Sequence, residues 1–226
     1  GDVGDRPYPG APINLPTPNT SRLAPGVVIV NNIVATNGAG GIRIAGDAQT
    51  DSPAQIARLM NNTVYGGGSG TGILIENTAS PTLLNNILAS NSIGVQAPGG
   101  STAVLGANLY QDNGSHTVNV GLGSFPEVLA PSDPLFVSTT NRRFYLAPGS
   151  KAIDSSLEAL QERPALAQVK NSINVPASPM LAPDRDVTGQ LRVDDPTVNS
   201  PAGLGSNVFK DRGAVDRSDF TGLEAV

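Results

Sequence analysis

Apolar and polar residues alternate with a period of two in four short stretches of the chain, at residues 41–44, 72–75, 94–97 and 117–120. Successive side chains of a β-strand point to opposite faces of a sheet, so this alternation predicts strands with one buried face. The residues expected to point inward are Ile42, Ile44, Ile73, Ile75, Val95, Val118 and Val120. The residues expected to face solvent are Arg43, Leu74, Gln96 and Asn119.

A second short apolar element precedes each of these stretches, and three of its four copies contain an Asn-Asn pair. The second asparagine of the pair, or its equivalent in the weaker fourth copy, recurs at positions 32, 62, 86 and 108, with spacings of 30, 24 and 22 residues. The pattern predicts one inward column of Val30, Met60 and Leu84, and another of Val34, Val64, Leu88 and Tyr110. Between these columns, asparagine is suited to a corner because it tolerates bends and bonds locally to backbone.

A repeat of this length made of strands and without a helical period indicates a parallel β-solenoid. We therefore predict an all-β protein whose residues 27–137 form about four rungs, with Asn32, Asn62, Asn86 and Asn108 stacked in one ladder. Such asparagines would bond from rung to rung, at about 4.8 Å per step. Within this ladder, Asn86→Leu is expected to destabilise the protein more than Asn91→Leu.

The segments that flank the repeats differ from them in composition. Residues 1–26 contain six prolines, which predicts an extended arm or linker. Residues 138–226 are less periodic and are expected to form an irregular closing region that covers one end of the solenoid. Ser155-Ser156-Leu157-Glu158 has the pattern of a capping box, which predicts that a short helix begins there and is limited by Pro164.

The repeats and the closing region resemble a known family. The Asn-Asn-(Ile/Thr)-(Val/Leu) element followed by Gly-Ile-x-Ile is similar to the right-handed parallel β-helix repeat, the fold of pectate lyases. Further matches to closing motifs of bacterial secreted β-helix proteins occur at residues 133–137, 144–154, 184–192 and 211–216. The resemblance implies a right-handed β-helix from a bacterial extracellular or cell-surface protein, in which this chain is the C-terminal part and has neighbouring domains. It implies no single activity, because a fold hosts many functions.

Composition and charge narrow the range of partners. The net charge is −5, the chain has no cysteine, and charged residues make up only 15% of it. Binding to nucleic acid through a basic surface is therefore not expected. Insertion into a membrane is not expected either, because no apolar run approaches the roughly 20 residues of a spanning helix. No signal peptide is visible in the sequence.

The resemblance directs the search for chemistry to the exterior of the strands. Lyases of this fold use Ca²⁺ held by exterior acids together with a basic Arg or Lys, and its glycosidases use clustered carboxylates. Arg43, Asp47 and Glu76 are the best candidates for such a catalytic group in this chain. A surface ion pair is the competing interpretation. His116, the only histidine, lacks the context of a nucleophile–base pair and is expected to be an ordinary loop residue.

Acidic residues are concentrated late in the chain. Asp184, Asp186, Asp194 and Asp211 are candidate calcium ligands, because Ca²⁺ prefers six to eight oxygens from a turning backbone and Gly189 permits a sharp turn. The competing interpretation is a structural network in which Asp186 or Asp211 pairs with Arg192 or Arg212. The expected cofactor is accordingly none, or calcium.

Function classes remain open at this stage. The favoured prediction is a non-catalytic structural or adhesive β-helix module of a secreted or cell-surface bacterial protein that contacts polysaccharide. The alternatives are a polysaccharide lyase or glycoside hydrolase acting on acidic polysaccharide, and a stalk or capping module without a ligand. The scarcity of exterior carboxylates disfavours an enzyme, because hydrolysis of a glycosidic bond needs two of them.

Overall fold

The computed structural model of the chain describes residues 27–46, 57–163, 167, 171–199 and 210–217. Most of its regular structure consists of short parallel strands that stack in three sheets. The first sheet contains β1 (Val28–Val30), β4 (Arg58–Met60), β7 (Thr82–Leu84) and β10 (Val104–Gly106). The second contains β2 (Ile33–Ala35), β5 (Thr63–Tyr65), β8 (Ile87–Ala89), β11 (Leu109–Gln111) and β13 (Glu127–Leu129). The third contains β3 (Gly40–Ala45), β6 (Thr71–Glu76), β9 (Ile93–Gln96) and β12 (Ser115–Val118).

These sheets form the predicted right-handed parallel β-helix. One rung runs through one strand of each sheet in turn, and each strand pairs in parallel with its counterparts in the adjacent rungs. Four rungs are complete, and a partial fifth turn follows them: β13 pairs with β11, and Ser124 bridges to Gly106.

The predicted asparagine ladder is present at the corner between the first and second sheets. The Nδ2 of Asn32 donates to the Oδ1 of Asn62 at 3.0 Å, and Asn62 and Asn86 donate to the next asparagine at 2.9 Å each. Each Oδ1 also accepts the backbone N–H of the asparagine one rung earlier. The three asparagines at 62, 86 and 108 are fully buried. Their amides thus satisfy the polar groups that the corner would otherwise leave buried and unpaired.

The interior of the solenoid is apolar, but one of its predicted columns is wrong by one residue. The inward residues of the first sheet are Ile29, Leu59, Leu83 and Leu105, not Val30, Met60 and Leu84. The cause is the corner residue: Asn31, Asn61 and Asn85 have φ of 55°, 49° and 56°. A left-handed residue interrupts the two-residue alternation, so counting back through it from the second sheet gives the wrong face. The second-sheet column, which starts at Val34, is inward as predicted.

The predicted register of the fourth rung is also wrong by one residue. Thr117 is opposite Val95 and Val118 is opposite Gln96, so Val118 rather than Asn119 continues the outer column that begins at Arg43. The register follows the constant 22-residue spacing set by the ladder, whereas the prediction followed hydrophobicity. Asn119 is a left-handed residue with φ of 60°, and after it Val120 still packs against the core.

The closing region lies along the side of the solenoid, against the outer faces of the first two sheets. It contains two antiparallel pairs, β14 (Phe136–Ser138) with β15 (Arg143–Leu146) and β16 (Ala159–Leu160) with β17 (Met180–Leu181). Leu157 and Met180 pack against Leu84, and Leu146 and Ile153 belong to the cluster that covers Ile87 and Leu109. The apolar residues that point out of these two sheets are buried for this reason.

The predicted helix start at Ser155 is wrong. Residues 155–157 are irregular and lead into β16, and helical conformation occurs only later among the described residues, at Ala167, Asn171 and Ser172. The Leu157 N–H donates instead to the Oδ1 of Asn85 at 2.8 Å. The Oγ of Ser155, which would accept the Glu158 N–H in a capping box, instead donates to the Lys151 carbonyl at 2.7 Å and accepts a hydrogen bond from the Nε of Arg212 at 2.9 Å.

Candidate functional site

The two predicted catalytic residues that the structure describes lie on the outer face of the third sheet. Arg43 is opposite Leu74 in the neighbouring strand, and Glu76 is opposite Ala45. The Nε of Arg43 donates to the Oε1 of Glu76 at 2.6 Å, and its Nη2 contacts the same oxygen. The Arg43 side chain is 66% exposed and that of Glu76 is 22% exposed. This is the geometry of a surface ion pair between adjacent rungs; Asp47 lies outside the described residues.

The rest of this outer face is mixed in character. Leu74 and Gln96 are half-buried, and the Oγ1 of Thr71 is 3.4 Å from the Oε1 of Gln96. Val118 continues the column at the fourth rung. The clusters of the closing region involve residues of the first two sheets, so the described part of this region leaves the third face uncovered.

His116 lies in β12 and not in a loop. Its ring is half-buried and is 5.7 Å from the ring of Tyr110, and its Nδ1 is 3.4 Å from the Nδ2 of Asn113. Tyr110 is fully buried, and burial, the largest effect, raises the pKa of its hydroxyl. These contacts place His116 beside the core of the fourth rung.

The late acidic residues form a buried network that holds segments of the closing region together. The Asp211 carboxylate accepts the N–H of Asp154 at 2.9 Å and the N–H of Arg217 at 2.6 Å. The Asp216 carboxylate accepts the N–H of Asp211 at 3.2 Å and that of Val193 at 2.9 Å. The carboxylates therefore accept backbone N–H groups from three segments that are distant in sequence, a role that carbonyl groups have in a regular sheet.

Burial dominates the electrostatics of this network. It raises the pKa of Asp154 to about 7, and the charges of Asp194, Asp195 and Asp216 add to the effect, against a hydrogen bond from the Asp195 N–H. It raises the pKa of Asp216 to about 6 and that of Asp211 well above its ordinary value. Each of these carboxyl groups consequently holds its proton to higher pH than it would in an unfolded chain.

Two buried arginines connect the network to the solenoid. Arg192 has its Nη1 3.5 Å from the Oδ1 of Asp216, and its Nη2 donates to the Oδ1 of Asn31 at 2.9 Å. Arg212 donates through Nη1 to the Asn108 carbonyl at 3.1 Å and through Nε to Ser155. Burial lowers the pKa of Arg212 to about 10, so it remains charged at neutral pH. An Asp–Arg network is present, but the carboxylate that pairs with Arg192 is Asp216 rather than the predicted Asp186 or Asp211.

The four candidate calcium ligands are used in different ways. Asp184 pairs with the Nζ of Lys210 at 2.6 Å, and Asp194 is exposed. The Oδ1 of Asp186 accepts the N–H and the hydroxyl of Thr188 at 2.8 and 2.7 Å, and Asp211 belongs to the buried network. Within the described part of the chain, no group of three or more acidic, histidine or cysteine side chains has the arrangement to hold a metal ion. The four candidates are therefore engaged with separate partners or with solvent in this arrangement.

The sequence analysis missed the role of the first asparagine of each pair. Asn31, Asn61 and Asn85 point outward from the corner and hold the closing region. Asn85 donates through Nδ2 to the Leu157 carbonyl at 2.8 Å, Asn61 donates to the Asp211 carbonyl at 3.0 Å, and Asn31 donates to the Arg185 carbonyl at 2.6 Å. The signal was available in the repeated Asn-Asn dipeptide, because one asparagine suffices for a ladder and the second needs another explanation.

Comparison with known families agrees with the sheets. Residues 19–130 match the family described as "Right handed beta helix region". Together with the three stacked parallel sheets, that match identifies the fold as a right-handed β-helix. Comparison with the curated proteins and with the solved structures gives no match for this chain. Among the residues that the structure describes, no helix has the length and apolarity needed to cross a membrane.

Proposed function

We propose that the chain is a non-catalytic β-helix module of a secreted or cell-surface bacterial protein, and that it contacts polysaccharide through the outer face of the third sheet. The observation that carries the proposal is that the outer faces of the three sheets differ in what covers them. The first two sheets are covered by the closing region, whereas none of its described residues joins a cluster on the third face. The bacterial and extracellular assignment rests on the resemblance of the closing motifs.

The ionisable groups support a structural rather than a catalytic use. Arg43 and Glu76 neutralise each other on the third face, and the carboxylates of Asp211 and Asp216 accept backbone N–H groups in the closing region. A lyase needs a base free to remove a proton, and a glycosidase needs two carboxyl groups at the scissile bond. The third face offers contact area, one amide and one charge pair, which suits weak binding of a polymer along several rungs.

Binding to acidic and neutral polysaccharides tests this proposal. Titration of the chain with polygalacturonate, alginate and a neutral glucan, followed by NMR, should shift resonances of Thr71, Leu74 and Gln96. Leu74→Asp should abolish those shifts for the acidic polymers, because it adds a like charge at the centre of the face. Shifts confined to the closing region, or none at all, would contradict the proposed face.

A second measurement addresses the enzymatic alternative. We expect no formation of unsaturated product from uronic-acid polymers, with or without Ca²⁺. Turnover that is lost in Arg43→Ala and retained in Lys151→Ala would establish a lyase instead. Lys151 is a suitable control because it forms a comparable exposed ion pair with Glu127, at 3.4 Å.

A further inference from the structure

The chain contains two Asn-Gly dipeptides, and the fold places both at the same corner of the solenoid. Asn37-Gly38 and Asn113-Gly114 lie in the connections from the second sheet to the third, in the first and fourth rungs. An asparagine followed by glycine can lose its side-chain amide without an enzyme, because glycine has no Cβ to obstruct attack by its backbone nitrogen on the side-chain carbonyl. The two sites share this local chemistry, so a difference in their reactivity must come from the surrounding structure.

Asn113 is held in place by hydrogen bonds. Its Oδ1 accepts the N–H and the Nδ2 of Asn91, at 3.0 and 2.9 Å, and its own Nδ2 donates to the Leu88 carbonyl at 2.8 Å. The N–H of Gly114, which would be the nucleophile, donates to the Asn91 carbonyl at 3.0 Å. Both reacting groups are therefore fixed by the short ladder that Asn91 and Asn113 form, and they cannot turn toward each other without breaking these bonds.

The short ladder does not extend to Asn37. Ala35 is opposite Tyr65 in the paired strands of the first two rungs. Two residues further along each strand, Asn37 therefore corresponds to Gly67. Glycine has no side-chain amide, so the second rung offers nothing at this position that could hold the asparagine of the first rung.

The turn that contains Asn37 also leaves both reacting groups open. Residues 36–39 are all exposed, and neither the Asn37 side chain nor the Gly38 N–H forms a hydrogen bond with a described residue. The Gly40 N–H donates to the Asn37 carbonyl at 3.2 Å, a bond that closes the turn without involving the side-chain amide or the Gly38 nitrogen. The nucleophile and the amide at this site are therefore free to approach each other.

We propose that Asn37 is a site of spontaneous conversion to aspartate and isoaspartate in the folded protein, and that Asn113 is protected from it. The Gly38 nitrogen loses its proton and bonds to the Cγ of Asn37, the carbon–nitrogen bond of the side-chain amide breaks, and the amide nitrogen leaves with that proton as ammonia. Water then opens the cyclic imide at either of its two carbonyl carbons, which yields aspartate or isoaspartate. Nothing is oxidised or reduced, and water is the co-reactant.

Either product alters the entry to the third sheet. Both add one negative charge to the net charge of −5. Isoaspartate also inserts a methylene into the main chain of the turn that leads into β3, and it converts the carbonyl that accepts the Gly40 N–H into part of a free carboxylate. The amide resonances of Gly40 and Gly41 should therefore shift as isoaspartate accumulates, whereas those of Ser115 and His116 in the fourth rung should not.

Ageing of the full chain at physiological temperature and mildly alkaline pH, followed by peptide mass spectrometry, tests the proposal. In the folded chain, conversion should be at least about tenfold faster at Asn37 than at Asn113, which corresponds to about 1.4 kcal/mol of activation free energy. The chain unfolded in guanidinium chloride is the control. It should convert both asparagines at similar rates, because the proposed difference comes from the hydrogen bonds of the folded state.

Gly38→Ala is the matched variant. A Cβ at position 38 would meet no atom within 4 Å, and Gly38 does not have a left-handed φ, so the far-UV circular dichroism of the variant should be unchanged. Conversion of Asn37 should slow by at least about tenfold, because the Cβ obstructs attack by the backbone nitrogen. Equal rates at Asn37 and Asn113 in the folded chain would overturn the proposal, as would an unreactive Asn37 or a rate that Gly38→Ala does not change.

Discussion

Replacing Asn86 by leucine tests the ladder as the main polar element of the core. Asn86 is fully buried, and its side chain takes part in four hydrogen bonds, with Asn62, Asn108 and Leu59. Leucine has nearly the same shape, but it leaves three groups without their hydrogen-bond partner: the Asn62 N–H, one Asn62 amide hydrogen and the Leu59 carbonyl. At about 1–3 kcal/mol for each of these three stranded buried groups, the expected loss is about 3–9 kcal/mol. This is a large share of the roughly 5–15 kcal/mol that stabilises a typical domain.

Two other asparagines provide graded controls for this variant. Asn91 is also buried and forms a shorter ladder with Asn113, at 2.9 Å, so the contrast originally expected from Asn91→Leu is reduced. Its Nδ2 also donates to the Ala89 carbonyl, which keeps a hydrogen bond from the Gly66 N–H. Asn91→Leu should therefore cost about 1–2 kcal/mol, and Asn32→Leu at the exposed end about 1 kcal/mol or less.

Urea unfolding followed by far-UV circular dichroism measures these differences. The midpoint should fall in the order Asn32→Leu, Asn91→Leu, Asn86→Leu, from the smallest loss to the largest, with an unchanged dependence on urea. Equal losses for Asn86→Leu and Asn91→Leu would refute the reasoning, because they would mean that the number of stranded partners does not determine the cost.

The remaining predictions concern the closing region and the third face. Stability should fall as the pH rises from about 5 to about 8, because folding raises the pKa values of Asp154 and Asp216 to about 7 and about 6. The folded state therefore binds more protons than the unfolded state in this range. The melting temperature of Asp154→Asn should depend less on pH. Gly213→Ala should destabilise the protein more than Gly189→Ala. Both glycines have left-handed φ, of +87° and +86°. A Cβ at position 213 would lie 2.5 Å from the Cδ1 of Ile87 and 2.8 Å from the Oγ1 of Thr63, whereas a Cβ at position 189 would meet no atom within 4 Å. The shared left-handed cost is about 1–2 kcal/mol, and a difference of zero in denaturant midpoints would show that the closing region does not dock tightly there. Arg43→Ala should change stability by less than about 1 kcal/mol, as for other exposed ion pairs, and a larger loss in thermal unfolding would indicate a role in joining the first two rungs.

The sequence by itself determined the class of fold and the ladder. The spacing of Asn32, Asn62, Asn86 and Asn108 predicted both, because a solenoid repeats its contacts at intervals that are visible along the chain. The same spacing, applied strictly, would also have placed Thr117 and not Val118 in the inner column, since rungs stay in register even where hydrophobicity suggests a shift.

Tertiary structure alone decided which faces are buried and what the acidic residues do. A left-handed Asn31, Asn61 or Asn85 changes the phase of the alternation, and nothing local shows that its side chain will hold a segment about 70 to 150 residues away. Likewise, the closing region must fold along the solenoid before Asp154, Asp211 and Asp216 meet. Their carboxylates accept N–H groups from residues that lie up to about 60 positions away along the chain. Periodic contacts can be inferred from a repeat, whereas these long-range contacts occur once each and leave no period in the sequence.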